Sequence, residues 1–108
     1  CTEDMLVMRE ETFGPVAAVT TFVDDAEAIR IANATTAGLA SHVYTSDVKR
    51  TFYFSEKLDF GIVGVNTGAI STAQAPFGGT KESGIGREGG KDGVHEYVEQ
   101  KYVCVGGL

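Results

Sequence analysis

The chain has 108 residues, 43% of them hydrophobic and 22% charged, with a formal net charge of −6. That length allows one small core, and the balance is ordinary for a globular protein. The acidic charge and the lack of a Lys/Arg stripe exclude the usual nucleic-acid binder, and no apolar run approaches the 18 residues of a membrane-spanning helix. Cys1 and Cys104 are the only cysteines, at opposite ends and without CxxC or metal-ligand spacing. They point to a reducing, intracellular setting, with Cys104 packing as a small hydrophobe.

In chain order, residues 1–15 are polar and turn-rich. Residues 16–23 form an apolar, β-branched run between Gly14-Pro15 and Asp24-Asp25, which predicts a buried strand. Asp24 fits an N-cap, with Glu27 three residues on as its capping-box partner. Ala28, Ile29, Ile31 and Ala32 then give the apolar face of a helix running to about Thr35, with Gly38 as its stop. Residues 39–45 alternate as a second strand. Ser46 or Asp47 caps a second helix whose predicted inner side carries Val48, Phe52, Ser55 and Leu58, ended by Phe60-Gly61. Residues 62–66 make a third, short strand. Strand, helix, strand, helix, strand predicts an α/β fold with two right-handed crossovers and a parallel sheet.

Beyond Asn66 the character changes, and twelve of the fourteen glycines lie from Gly61 onward. Residues 67–90 read as a long irregular segment, which in a small domain is usually a functional loop. A short helix is expected around residues 89–95. Residues 97–105 have strong β propensity and predict a final strand.

Gly84-Ile85-Gly86-Arg87-Glu88-Gly89 matches G-x-G-x-x-G by letter. The dinucleotide fingerprint needs a strand directly before it and an acidic residue about 20 residues after it. Neither is present, so these glycines are expected to serve tight turns with positive φ. His42 and His95 stand alone, without partners at metal-ligand spacing. Glu10-Glu11-Thr12-Phe13-Gly14-Pro15 is the densest stretch. A carboxylate can accept the hydroxyl protons of a ribose, and an aromatic held by Gly-Pro can offer a flat apolar face to a nicotinamide. The bland alternative is a solvated charge pair.

These motifs occur together in a fixed order: Glu10-Glu11-Thr12-Phe13-Gly14-Pro15, Gly38-Leu39-Ala40-Ser41, Gly64-Val65-Asn66, Pro76-Phe77-Gly78-Gly79, Lys81, Ser83-Gly84 and Gly86-Arg87-Glu88. They resemble the C-terminal part of the aldehyde dehydrogenase superfamily over almost the whole chain. Asn66 to Ser71 and the ending from Glu99 resemble the subgroup acting on succinate semialdehyde. The resemblance implies the C-terminal part of a catalytic domain over residues 1–97 and an oligomerisation strand over residues 98–108. It also implies oxidation of a small aldehyde to an acid with NAD or NADP. In that chemistry a cysteine thiolate attacks the aldehyde, hydride leaves to the nicotinamide, and a glutamate-activated water hydrolyses the thioester.

The family's nucleophilic cysteine and general-base glutamate precede the motif at residues 10–15, so no catalytic residue carries over, and neither cysteine here matches. The chain is expected to be a piece of a longer enzyme and inactive alone. By resemblance, Glu11 accepts hydrogen bonds from the nicotinamide ribose and Phe13 packs beside the nicotinamide. Ser71 helps hold the succinate-end carboxylate, and Phe77 walls the substrate tunnel. The last strand is expected to add to a neighbouring subunit's sheet in a homo-oligomer, a dimer or tetramer. Arg87 and Glu99 are an expected ion pair near that interface. The expected compartment is the cytoplasm, or the mitochondrial matrix in a eukaryote. The alternatives are another semialdehyde or aldehyde dehydrogenase, or a non-catalytic assembly or binding module.

Overall fold

The computed structural model describes residues 1–107. Its elements are α1 (Leu6–Arg9), α2 (Asp25–Asn33), β1 (Ala40–Val43), α3 (Val48–Lys57), β2 (Ile62–Val65) and two 3-10 turns, Lys81–Ser83 and Gly93–Tyr97. The two strands pair in parallel, Ala40 beside Ile62 through Val43 beside Val65, with α3 as the crossover.

The helix starts follow the sequence signals. The Asp24 carboxylate accepts the Glu27 N–H at 2.8 Å, and the Glu27 carboxylate reaches back to the Val23 N–H at 2.7 Å. Asp47, not Ser46, caps α3, accepting the N–H groups of Lys49 and Arg50. Arg50 then pairs with Asp25 at 2.8 Å, joining the starts of the two helices.

Asn33 closes the other end. Its amide donates to Lys57 O at 2.8 Å and accepts the Asp59 N–H at 2.9 Å, so one side chain joins the ends of α2 and α3. Asn66 does similar work beyond the sheet. It turns into the left-handed region at φ 55°, and its amide exchanges two hydrogen bonds with Thr45, extending the ladder by a side chain.

Several expectations change. Residues 16–23 form no ladder, because no strand among the described residues lies alongside to take their backbone groups. The sheet therefore has two strands and one crossover. The inner face of α3 is Thr51, Phe54 and Leu58, while Val48 and Phe52 are exposed. The i, i+3, i+7 stripe Thr51, Phe54, Leu58 is about as apolar as its neighbour through Phe52, so packing rather than composition decides which turns inward. α1 was not foreseen, having a single turn and no capping side chain. Gly38 is not an αL stop; a Cβ there would sit 2.9 Å from Thr80 O, so glycine permits a close backbone approach.

Residues 98–107 make no strand pairing among the described residues, and Leu108, the last residue of the expected strand, lies outside them. The short helix expected near residues 89–95 is the 3-10 turn Gly93–Tyr97. Cys104 is exposed rather than packed, since its neighbours have no layer to pack against.

Candidate functional site

Glu11 lines an open groove of about 640 Å³ whose walls come from three separate segments: the end of α1 with Glu10, residues 35–37 after α2, and Glu82-Ser83. Gly14 follows at φ 122°, a backbone conformation that glycine adopts without strain, and Pro15 stiffens the exit. Among the described residues no hydrogen bond or ion pair engages the Glu11 carboxylate. Glu10, Glu11 and Glu82 outnumber Arg9, so the groove favours hydroxyl donors over phosphate. Phe13 is 89% exposed, and both faces of its ring are uncovered.

The far walls are tied to each other. Lys81 turns into the left-handed region at φ 54°, and its Nζ donates to Asn33 O at 3.1 Å and Thr35 O at 3.2 Å, the free carbonyls at the end of α2. The same Nζ lies 3.4 Å from the Asp59 carboxylate and 5.3 Å from the Phe60 ring centroid. Beside it, the Glu82 N–H donates to Thr36 O at 3.0 Å, and Ser83 Oγ accepts the Gly38 N–H at 2.8 Å.

A second groove of about 410 Å³ shares Leu39 and Ser83 with the first and contains the half-buried Phe77. Phe77 and Glu88 exchange backbone bonds at 2.7 Å in an antiparallel bridge. Arg87 does not pair with Glu99: its Nη1 donates to Gly79 O and Gly86 O, both at 2.7 Å, and so closes the turn beside Phe77. Gly84, Gly86 and Gly89 all have positive φ and follow a 3-10 turn rather than a strand. They serve as turn residues, as the sequence implied.

Ser71 stands exposed in the loop after β2 and lines neither groove. That loop is held at its base, where Thr67 O lies 2.9 Å from His42 Nδ1, and Ile70 packs over Gly64, whose missing Cβ would come within 2.6 Å of the Ile70 side chain. The structure thus sets Glu11 and Phe77 in adjacent grooves, with Phe13 and Ser71 outside them. Among the described residues no group of three His, Cys, Asp or Glu is placed to hold a metal ion.

The residues present fit one part of a dinucleotide. A free carboxylate on an open groove suits ribose hydroxyls, and a bare ring beside it suits a nicotinamide face. Among the described residues no strand-to-helix glycine turn offers a cradle for the pyrophosphate.

Lys81 stands among the residues that carry the family resemblance but has no role assigned from the sequence, and Asn33 has none either; the partners of Lys81 are 48 and 46 residues away.

Known proteins resemble this chain over nearly its whole length. A family model described as "Aldehyde dehydrogenase family" matches residues 1–103. The chain is 55% identical over 105 residues to the mitochondrial succinate-semialdehyde dehydrogenase of Oryza sativa subsp. japonica, covering 97% of this chain and 20% of that protein. It is 52% identical over 106 residues to the glutarate-semialdehyde dehydrogenase of Pseudomonas aeruginosa, covering 98% of this chain and 22% of that protein. The crystal structure of succinate-semialdehyde dehydrogenase from Burkholderia pseudomallei superposes with a TM-score of 0.90 at 49% identity, over 96% of this chain and 22% of that one. The chain therefore spans about a fifth of the length of the curated relatives it matches. Aldehyde dehydrogenases use NAD or NADP. With a family-model match over nearly its whole length and a shared fold at half identity, this chain belongs to the aldehyde dehydrogenase family.

Proposed function

We propose that this chain is part of an NAD(P)-dependent dehydrogenase that oxidises succinate semialdehyde to succinate. The observation that carries the reading is the pair of unengaged groups at the head of the chain: the Glu11 carboxylate on an open groove and the bare Phe13 ring two residues on. The dinucleotide, when bound, supplies the hydride acceptor. Glu11 accepts hydroxyl protons of the nicotinamide ribose, and Phe13 covers one face of the ring and excludes water there. Phe77 walls the path of the aldehyde. Ser71 donates its hydroxyl proton to the distal carboxylate of the substrate, a charge-assisted bond that an uncharged aldehyde cannot make. The thiolate nucleophile and the general base belong to other parts of the enzyme. Residues 98–108 add to the sheet of a neighbouring subunit in a homo-oligomer, consistent with residues 98–107 making no strand pairing among the described residues. Similarity to proteins named for succinate semialdehyde supports the substrate, and the near-equal likeness to a glutarate-semialdehyde enzyme makes the five-carbon homologue the competing one.

The test is steady-state kinetics of the full-length protein with succinate and glutarate semialdehydes and either dinucleotide. Glu11→Gln keeps the size but removes the charge from the ribose contact. Its dinucleotide KM is expected to rise roughly tenfold or more, the equivalent of one charged hydrogen bond. Full activity with an unmoved dinucleotide KM would discard the role given to Glu11.

A further inference from the structure

The Glu11 groove is built from parts that are remote in sequence, and Lys81 is the group that holds two of them together. Residues 35–37 and Glu82-Ser83 form the groove's far side. The first set hangs on the end of α2, the second on the 3-10 turn Lys81–Ser83. From inside the molecule, with its side chain only 21% exposed, Lys81 donates to Asn33 O, at the end of α2, and to Thr35 O, just past it, and lies 3.4 Å from Asp59. A cation at a helix C-terminus is favourable, and here it is the same cation that fixes the opposing turn. The backbone bond from Glu82 to Thr36 and the Ser83 bond to Gly38 then set the spacing of the walls. The left-handed backbone of Lys81 is what turns its side chain back beneath the wall rather than out to solvent.

We infer that Lys81 is a positioning residue for the dinucleotide: by tying the end of α2 to the turn at residues 81–83 it sets the width of the groove that Glu11 faces. This rests on the reading of Glu11 as the ribose acceptor. Lys81 touches neither cofactor nor substrate and acts through residues 35–37 and Ser83. Its removal loosens those walls, leaving the Glu82–Thr36 and Ser83–Gly38 bonds as their remaining links, while Glu11, Phe13, Phe77 and Ser71 stay chemically intact. The consequence falls on dinucleotide binding before it falls on the aldehyde.

The experiment uses the full-length protein with Lys81→Ala and Lys81→Met. Both remove the donor; the Met variant keeps the stem that packs near Phe60. The expected result is a rise of about tenfold or more in dinucleotide KM, with aldehyde KM within about twofold, and recovery of part of the loss on adding methylammonium to Lys81→Ala. Glu11→Gln is measured alongside. A raised KM in Glu11→Gln with an unmoved one in both Lys81 variants overturns the inference about Lys81 alone. The opposite pattern overturns the reading of Glu11 and leaves Lys81 as a determinant of dinucleotide binding. Equal losses in both KM values without amine rescue, or failure of both variants to fold, reduce Lys81 to a structural residue and overturn the inference.

Discussion

Ser71 presents a hydroxyl where the substrate's far carboxylate is proposed to sit, and its loop is fixed from below by His42 and by the packing of Ile70 on Gly64. Ser71→Ala removes the donor without moving that base. In the full-length protein its KM for succinate semialdehyde is expected to rise by roughly 10- to 100-fold, since a hydrogen bond to a charged group is worth about 1.5–3 kcal/mol. Butyraldehyde, of equal carbon count and without the carboxylate, serves as the control and is expected to be unaffected. If both substrates respond alike, Ser71 is not part of the clamp. The roles proposed for Glu11, Phe13 and Ser71 follow from the residue types of short motifs, and the structure sets Glu11 on a groove with Phe13 and Ser71 outside it. Lys81 was not legible in this way, because its meaning depends on where the end of α2 comes to rest in space. Arg87 was misread for a related reason: a guanidinium can be satisfied by carbonyls as well as by a carboxylate, and two close glycine carbonyls cannot be foreseen from spacing.

At the level of elements, caps were legible and partners were not. Asp24 with Glu27, and Asp47 before α3, are local patterns with a local physical cause. Which face of α3 turns inward depends on what packs against it, so a sequence stripe through Phe52 lost to one through Phe54. The docking of α1 was equally hidden. It depends on Arg30 of α2 gripping the Glu3 carboxylate with two bonds, at 2.7 and 2.9 Å across 27 residues. The hydrogen bonds from Arg30, and then its charge, hold the Glu3 carboxyl below the usual carboxylate range, and the Arg30 pKa rises correspondingly. A carboxylate lowered on folding contributes stability that is present above its unfolded pKa and is lost as pH falls through the folded one. The pair is exposed, so salt weakens it. Amide exchange at Leu6–Arg9, corrected for intrinsic rates, is therefore expected to quicken as pH falls through and below the ordinary carboxylate range. Glu3→Gln should show the faster exchange already at neutral pH, with no further acid step. Exchange that is identical in the two proteins at neutral pH would mean that the pair does not hold α1 and the Met8-Arg9 edge of the groove.

At the scale of the molecule, the numbers depart from those of a self-contained domain. The radius of gyration is 18.8 Å, against about 13 Å for a compact chain of this length. The accessible surface is 8566 Å², against about 5,800 Å² for a folded monomer of this mass. Leu58 is the one buried large apolar side chain among the described residues, while Val16, Val19, Phe22 and Val23 lie exposed along the segment read as a strand. The apolar pattern at residues 16–23 and 97–105 lies on exposed surface here, as expected of strands whose partner edge belongs to another part of the assembly. On its own, the 108-residue chain is expected to unfold without a cooperative transition, to bind a hydrophobic dye such as ANS, and to give no turnover with any aldehyde. A sharp calorimetric transition would contradict this. The tail provides the more specific test. Tyr102 is 88% exposed, and Val103 and Val105 are also exposed, a poor composition for a strand edge left in water. Val103→Asp adds a charge there and touches neither groove. In the full-length protein it is expected to shift elution on size exclusion toward the smaller species while the dinucleotide KM holds. An unchanged elution volume would show that residues 98–107 are covered within their own subunit, because only burial against another copy makes that charge costly to assembly.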